Sequence, residues 1–180
     1  MARFEVVTRF ADKDIKIPQR ATAHAAGYDL AAAEDIVIQP IDKLMYNLMG
    51  EADDSPMPPA AYTLEQMADM TKASKAKPSL VSTGLKIKLA ENEYLELLPR
   101  SSTPLKYWLV VANSAGIIDA DYYNNPDNEG EIFLQLINLS PYPIIIKKGD
   151  FIGQGIIRQY YITEDDRAGG DRLGGFGSTH

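Results

Sequence analysis

Leu85-Lys86-Ile87-Lys88-Leu89 alternates three aliphatic side chains with two lysines. That is the two-residue period of a strand with one face buried and the other wetted. Ile132, Leu134 and Leu136 repeat the pattern through Phe133, Gln135 and Ile137. Working outward, 144–146 is a short β-branched run, Lys147-Lys-Gly-Asp150 reads as a hairpin turn, and 151–161 reads as the strand beyond it. Segments 4–10, 94–98 and 108–112 are further strand candidates. Many short strands separated by Gly, Pro and Asn clusters predict a mainly β fold, a sandwich or a barrel.

Residues 42–77 break this rhythm. Ile41, Leu44, Met45, Leu48 and Met49 fall at i, i+3, i+4, i+7 and i+8, one face of a helix that Gly50 is placed to end. Asp53-Asp-Ser-Pro-Met-Pro-Pro59 reads as a loop. Thr63-Leu-Glu-Gln66 has capping-box form and predicts a second helix running to about Lys77, with Leu64, Met67, Ala68 and Met70 on its apolar side and Pro78 as its stop. The segment is expected to be a helical hairpin inserted between strands and packed on the β body. Five of the six methionines lie in it, a composition that also suits an adaptable docking surface for a regulatory protein partner.

A chain of 180 residues predicts one domain over 1–180. With no cysteine it has no disulfide and no thiolate chemistry, so a reducing, cytoplasmic setting is the default. The start of the chain lacks the basic-then-apolar layout of a signal peptide, and no apolar run reaches the ~18 residues of a membrane span. A formal net charge of −7 disfavours a nucleic-acid partner, whose phosphates call for a basic field. It leaves room for a small phosphorylated ligand, which needs only a local cationic pocket. The two histidines, His24 and His180, are not placed for a triad or a multi-histidine metal site. Chemistry must therefore rest on carboxylates, hydroxyls, arginines and backbone.

The chain ends in Asp171-Arg-Leu-Gly-Gly-Phe-Gly-Ser-Thr-His180. Glycine at this density forfeits packing and costs backbone entropy on ordering, so 171–180 reads as a flexible tail. Its arginine, glycine amides, phenylalanine and hydroxyls suit a nucleotide. Ahead of it stand Ala26-Gly-Tyr-Asp-Leu30, Pro99-Arg-Ser-Ser102, Asn113-Ser-Ala-Gly-Ile-Ile-Asp-Ala-Asp-Tyr122 and Lys148-Gly-Asp-Phe-Ile-Gly-Gln154. Singly each is a weak signal. In this order, from about residue 15 to the C-terminus, the five blocks resemble the trimeric dUTP diphosphatase (dUTPase) family, phage or bacterial in type, and only 42–77 stands outside the pattern.

The resemblance implies a jelly-roll-like β-barrel with a helical insertion and a homotrimer that builds each active site from three subunits. It implies hydrolysis of dUTP to dUMP and diphosphate, with Mg²⁺ on the triphosphate. Asn113, Gly116, Ile117 and Ile118 match the uracil-reading hairpin, Tyr122 the ring that packs on the deoxyribose, and Asp119 the general base that activates water. A backbone edge presents N–H and C=O to uracil, and cytosine would leave groups unpaired at ~1–3 kcal/mol each. Arg100, Ser101 and Ser102 match the phosphate-binding block, in a loop stiffened by Pro99 and Pro104, and Gln154 a residue near the phosphates. Asp29 matches a carboxylate that meets Mg²⁺ through water. Arg172 matches the tail arginine on the γ-phosphate, Phe176 the ring on the uracil face, and Ser178 a further tail contact.

Two departures bear on these transfers. Arg172 stands one residue nearer Phe176 than the common tail pattern has it, and Tyr123-Asn-Asn-Pro-Asp-Asn-Glu129 enlarges the turn before Gly130-Glu131. A dCTP deaminase-like enzyme of the same fold, with Glu131 at the cytosine amino group, is the closest rival. A nucleotide-responsive regulatory protein is the alternative from another class.

Overall fold

The computed structural model describes residues 1–44, 63–74, 77–170, 172 and 175. In chain order the strands are β1 (Arg3–Val6), β2 (Tyr28–Ala31), β3 (Ile36–Ile38), β4 (Ser79–Ser82), β5 (Leu85–Lys88), β6 (Glu93–Leu98), β7 (Leu109–Val111), β8 (Gly116–Asp119), β9 (Phe133–Asn138), β10 (Ile144–Ile146) and β11 (Phe151–Gln159). Helices α1 (Leu64–Ser74) and α2 (Ser102–Tyr107) accompany them among the described residues, beside a helical turn over 41–44. The strands pair antiparallel as β2-β11-β6-β8, β4-β9-β7, β1-β5 and β10-β3. The result is mainly β and jelly-roll-like, built among the described residues from four hydrogen-bonded sheets rather than one closed ladder.

The alternation read from the sequence is the packing observed. In β5 Leu85 and Ile87 are buried, while Lys86 is half-buried and Lys88 exposed. In β9 Leu134, Leu136 and Asn138 face inward and Phe133, Gln135 and Ile137 lie on the other side. Leu30, Ile38, Leu95 and Ile132 complete the centre, all at zero exposure. Burying each such side chain contributes about 1.5–3 kcal/mol, whereas an exposed pair such as Lys147–Asp35 is screened by solvent and adds little. The sheets are therefore held by the shared core, not by surface charge.

Several elements differ from expectation. The strand expected over 4–10 ends at Val6, and Thr8–Phe10 forms a 3₁₀ turn that buries Phe10. Lys147 to Asp150 does turn, with Asp150 N–H on Lys147 O at 3.0 Å, but β10 and β11 belong to different sheets, so no hairpin forms. Likewise β7 pairs with β9 and β8 with β6, so 113–122 carries the chain between sheets instead of closing a hairpin. The expected loop after Ser101 is helix α2; Pro104 sits in its first turn, where a missing N–H costs nothing.

In the insertion, residues 41–44 are helical, and the rest of the first expected helix, with Met45, Leu48, Met49 and Gly50, lies outside the described residues, as does the loop 53–59. The capping box forms as expected: Thr63 N–H donates to Gln66 Oε1 at 2.8 Å and Gln66 N–H to Thr63 Oγ1 at 3.2 Å. The helix α1 that follows buries no described side chain, and Leu64 is 92% exposed. Dense packing on the β body is thus not its arrangement. Among the described residues no helix is long and apolar enough to cross a membrane.

Candidate active site

Strand β8 ends at Asp119, which keeps an extended backbone (φ −76°, ψ 159°) before Ala120–Tyr122 wind into a 3₁₀ turn. The β-branched pair Ile117-Ile118 favours the strand, and the change of conformation leaves the Asp119 carboxylate at its end, 45% exposed. Tyr122 turns inward and is 5% exposed. Its ring, Asn113, Gly116, Ile117, Ile118 and Arg172 line one cavity of about 210 Å³. That is below the ~300 Å³ at which drug-sized sites begin, so it suits a single small ring.

Burial raises the Tyr122 phenol above its ordinary pKa, so it stays a neutral donor. Its hydroxyl donates to Glu131 O at 3.2 Å and accepts from Asn128 Nδ2 at 2.7 Å. Glu131 also borders the cavity, but its carboxylate is gripped by Arg9 through Nε and Nη2, each at 2.8 Å, and by the Ser82 hydroxyl. Both oxygens are committed to holding the first turn of the chain against β4.

A second cluster forms where three strands of the large sheet come into register. Asp29 on β2 stands opposite Gln154 on β11, which stands opposite Leu98 at the end of β6. Arg100, two residues on, donates to Asp29 through Nε at 2.8 Å and Nη2 at 3.4 Å, and its guanidinium lies 4.7 Å from the Phe151 ring centre. Gln154 Nε2 donates to Pro99 O at 3.0 Å. Ser101 and Ser102 follow directly at the start of α2.

The sequence-predicted residues therefore divide into two groups. Asn113, Gly116, Ile117, Ile118, Tyr122 and Arg172 surround one cavity with Asp119 at its rim, and Asp29, Arg100 and Gln154 meet separately. Phe176 and Ser178 lie outside the described residues. Arg172 is found on carboxylates: Nε donates to Asp121 at 2.8 Å and Nη2 to Asp119, with the guanidinium 5.8 Å from the Tyr122 ring centre. The Tyr122 supports were not singled out in the sequence. The signal was there, because an Asn-Pro-Asp-Asn run in a turn is rich in side chains that bond nearby backbone.

The β-rich fold and its small polar-edged cavity define a site for a single ring on a jelly-roll-like frame. The sequence model of the dUTPase family matches residues 53–179. A deoxyuridine 5'-triphosphate nucleotidohydrolase of Lactococcus lactis is 37% identical over 98% of this chain and 95% of its own. One from Wolinella succinogenes is 32% identical over 91% and 85%. The crystal structure of dUTPase from Streptococcus mutans superposes with a TM-score of 0.67 at 33% identity, over 90% of this chain and 98% of that one. A dUTPase from phage phi11 of S. aureus, described for its species-specific insert, shares the fold at TM-score 0.59 and 16% identity, over 93% of this chain and 96% of its own. The chain belongs to the dUTPase family.

Proposed function

We propose that this chain hydrolyses dUTP to dUMP and diphosphate at a site shared within a cytoplasmic homotrimer, with Asp119 as the base that activates water. The observation that carries the reading is one cavity, sized for a single ring, with Gly116 and Asn113 on its lining, Tyr122 as a wall and Asp119 at its rim. Uracil enters against the β8 backbone, and the sugar lies on the Tyr122 ring. Arg100, Ser101, Ser102 and Gln154 form the phosphate side. In the proposed trimer a neighbouring subunit would bring the two groups to one nucleotide. The tail then supplies Arg172 to the γ-phosphate, Phe176 to the base and Ser178 to the closed state. Water between Asp119 and the α-phosphate loses its proton to the carboxylate as it attacks, and diphosphate leaves.

Among the described residues no three carboxylates or imidazoles gather into a metal cage. An Mg²⁺ ion would be carried on the substrate's phosphates, and Asp29 would meet it through water. Bound there, the ion would neutralise charge on the triphosphate. A variant of the phage phi11 relative coordinates a structural Mg(II) ion.

The insertion over 42–77 is read as an accessory segment, since none of the proposed site residues falls within it, and its exposed α1 leaves a surface for a regulatory partner. Incubating the purified protein with dUTP and resolving products by ³¹P NMR and ammonia assay tests the function. dUMP with diphosphate supports it; ammonia release would turn the assignment to the deaminase, and no turnover of dUTP would remove it.

A further inference from the structure

The loop between Tyr122 and β9 is longer than the family pattern, and its side chains bond inward. Asn125 is 4% exposed. Its Oδ1 accepts from the backbone N–H of Asp127 at 3.0 Å and of Asn128 at 3.1 Å, while its Nδ2 donates to Tyr122 O at 2.9 Å and Asn128 Oδ1 at 2.8 Å. Asn128 Oδ1 also accepts from Gly130 N–H at 3.0 Å. A backbone N–H can only donate, so the amide orientation is fixed: Oδ1 faces Gly130 and Nδ2 faces Tyr122. The phenol accepts at 2.7 Å from that Nδ2 and spends its own hydrogen on Glu131 O at 3.2 Å.

The loop is in turn bolted to the rest of the fold. Gly130 has φ +78°, and a Cβ there would run into the Tyr122 carbonyl and stand 3.0 Å from Tyr123 Cα, so the backbone closes directly on Tyr122. Glu129 accepts from Thr8 Oγ1 at 2.9 Å and Lys86 Nζ at 3.2 Å, and Lys86 Nζ reaches Asn124 Oδ1 at 2.6 Å. Tyr123 donates to Glu5 at 2.7 Å. The hydroxyl end of the Tyr122 ring is thus held from two sides, and the same residue lines the cavity.

We propose that Asn128, itself held by Asn125, is a positioning residue that fixes the Tyr122 ring against the nucleotide's sugar and thereby sets discrimination between deoxyribose and ribose. The inference rests on the proposed dUTP hydrolysis. A wall locked in place leaves no room for a 2′-hydroxyl; a wall free to rotate by one contact does.

Kinetics of wild type, Asn128→Ala, Tyr122→Phe and the double variant, with dUTP and UTP, test it. Wild type must first turn over dUTP and reject UTP; failure at this step sinks the proposed function, not the positioning role. Given that, Asn128→Ala should lower the dUTP-to-UTP ratio of kcat/KM about tenfold, the size of one lost hydrogen bond. KM for dUTP should rise more than kcat falls. Tyr122→Phe, which also gives up the bond to Glu131 O, should lose at least as much, and the double variant little more than Tyr122→Phe alone, because the Asn128–Tyr122 contact is then already gone. An unchanged ratio in folded Asn128→Ala, or additive losses in the double variant, would overturn the proposal. Should Asn128→Ala not fold, an unchanged ratio in Tyr122→Phe overturns it equally.

Discussion

Arg172 of the tail donates through Nη2 to the Asp119 carboxylate while its Nε holds Asp121 at 2.8 Å. The contact engages one of the two carboxylate oxygens of Asp119, so it brings the tail arginine to the proposed base without committing the whole carboxylate. In the proposed reaction Arg172 would exchange this partner for the γ-phosphate.

Deleting 171–180 should leave the β body folded. The core is built from Leu30, Ile38, Leu95, Ile132, Leu134 and their neighbours, and neither described tail residue, Arg172 or Gly175, belongs to it. Activity with dUTP should fall by at least about a hundredfold, since the closing segment that excludes water is gone. Thermal melting and steady-state kinetics check the two halves. A melting temperature lowered by more than a few degrees, or undiminished turnover, would contradict them.

Gly27→Ala is expected to act on substrate binding rather than on stability. A Cβ at residue 27 would run into Gln154 Oε1 and sit 3.2 Å from Gln154 Cδ. The obstacle is the end of a flexible side chain, so the fold can yield by swinging the amide away. That swing breaks the 3.0 Å bond from Gln154 to Pro99 O beside Arg100. KM for dUTP should rise several-fold to about tenfold with melting little changed. A large loss of stability with unchanged KM would show that Gln154 is structural only.

The strands were legible because alternation in Leu85–Lys88 and around Ile132 to Ile137 is imposed by a sheet with one buried face. The capping box at Thr63 was legible because it is local chemistry. Pairing was not. Lys147 to Asp150 has turn residues whether the flanking strands pair with each other or, as here, with β3 and β2. Helix α2 was hidden by Pro104, which reads as a breaker unless its place in the first turn is known. Gly116, Asn113 and Tyr122, which line the candidate cavity, were singled out through their motif. The Arg172–Asp119 pair and the Asn128 bond to Tyr122 join residues by folding, and neither partner's identity announces the other.

Acid should loosen the Tyr122 loop before it unfolds the core. Hydrogen bonds from the Thr8 hydroxyl, then its backbone, and from Lys86 hold the Glu129 carboxyl below its ordinary 4.5. A lowered folded pKa gives stability that is present above the unfolded value and is lost as pH falls below it. Wild type should therefore lose more melting temperature between about pH 5 and pH 3 than Glu129→Gln, which has no carboxylate to protonate. Parallel curves for the two proteins would show that this anchor does not titrate with folding.

The central claim is that Asp119 activates the attacking water, and one substitution tests it most directly. Asp119→Asn is nearly isosteric but cannot take a proton. Turnover of dUTP and calorimetric binding of a non-hydrolysable dUTP analogue should be measured side by side on wild type and variant. Binding within a few-fold of wild type with kcat reduced by ~10²–10⁴ is the result expected for loss of a general base. A variant that binds the analogue and keeps a kcat near that of wild type would contradict the account.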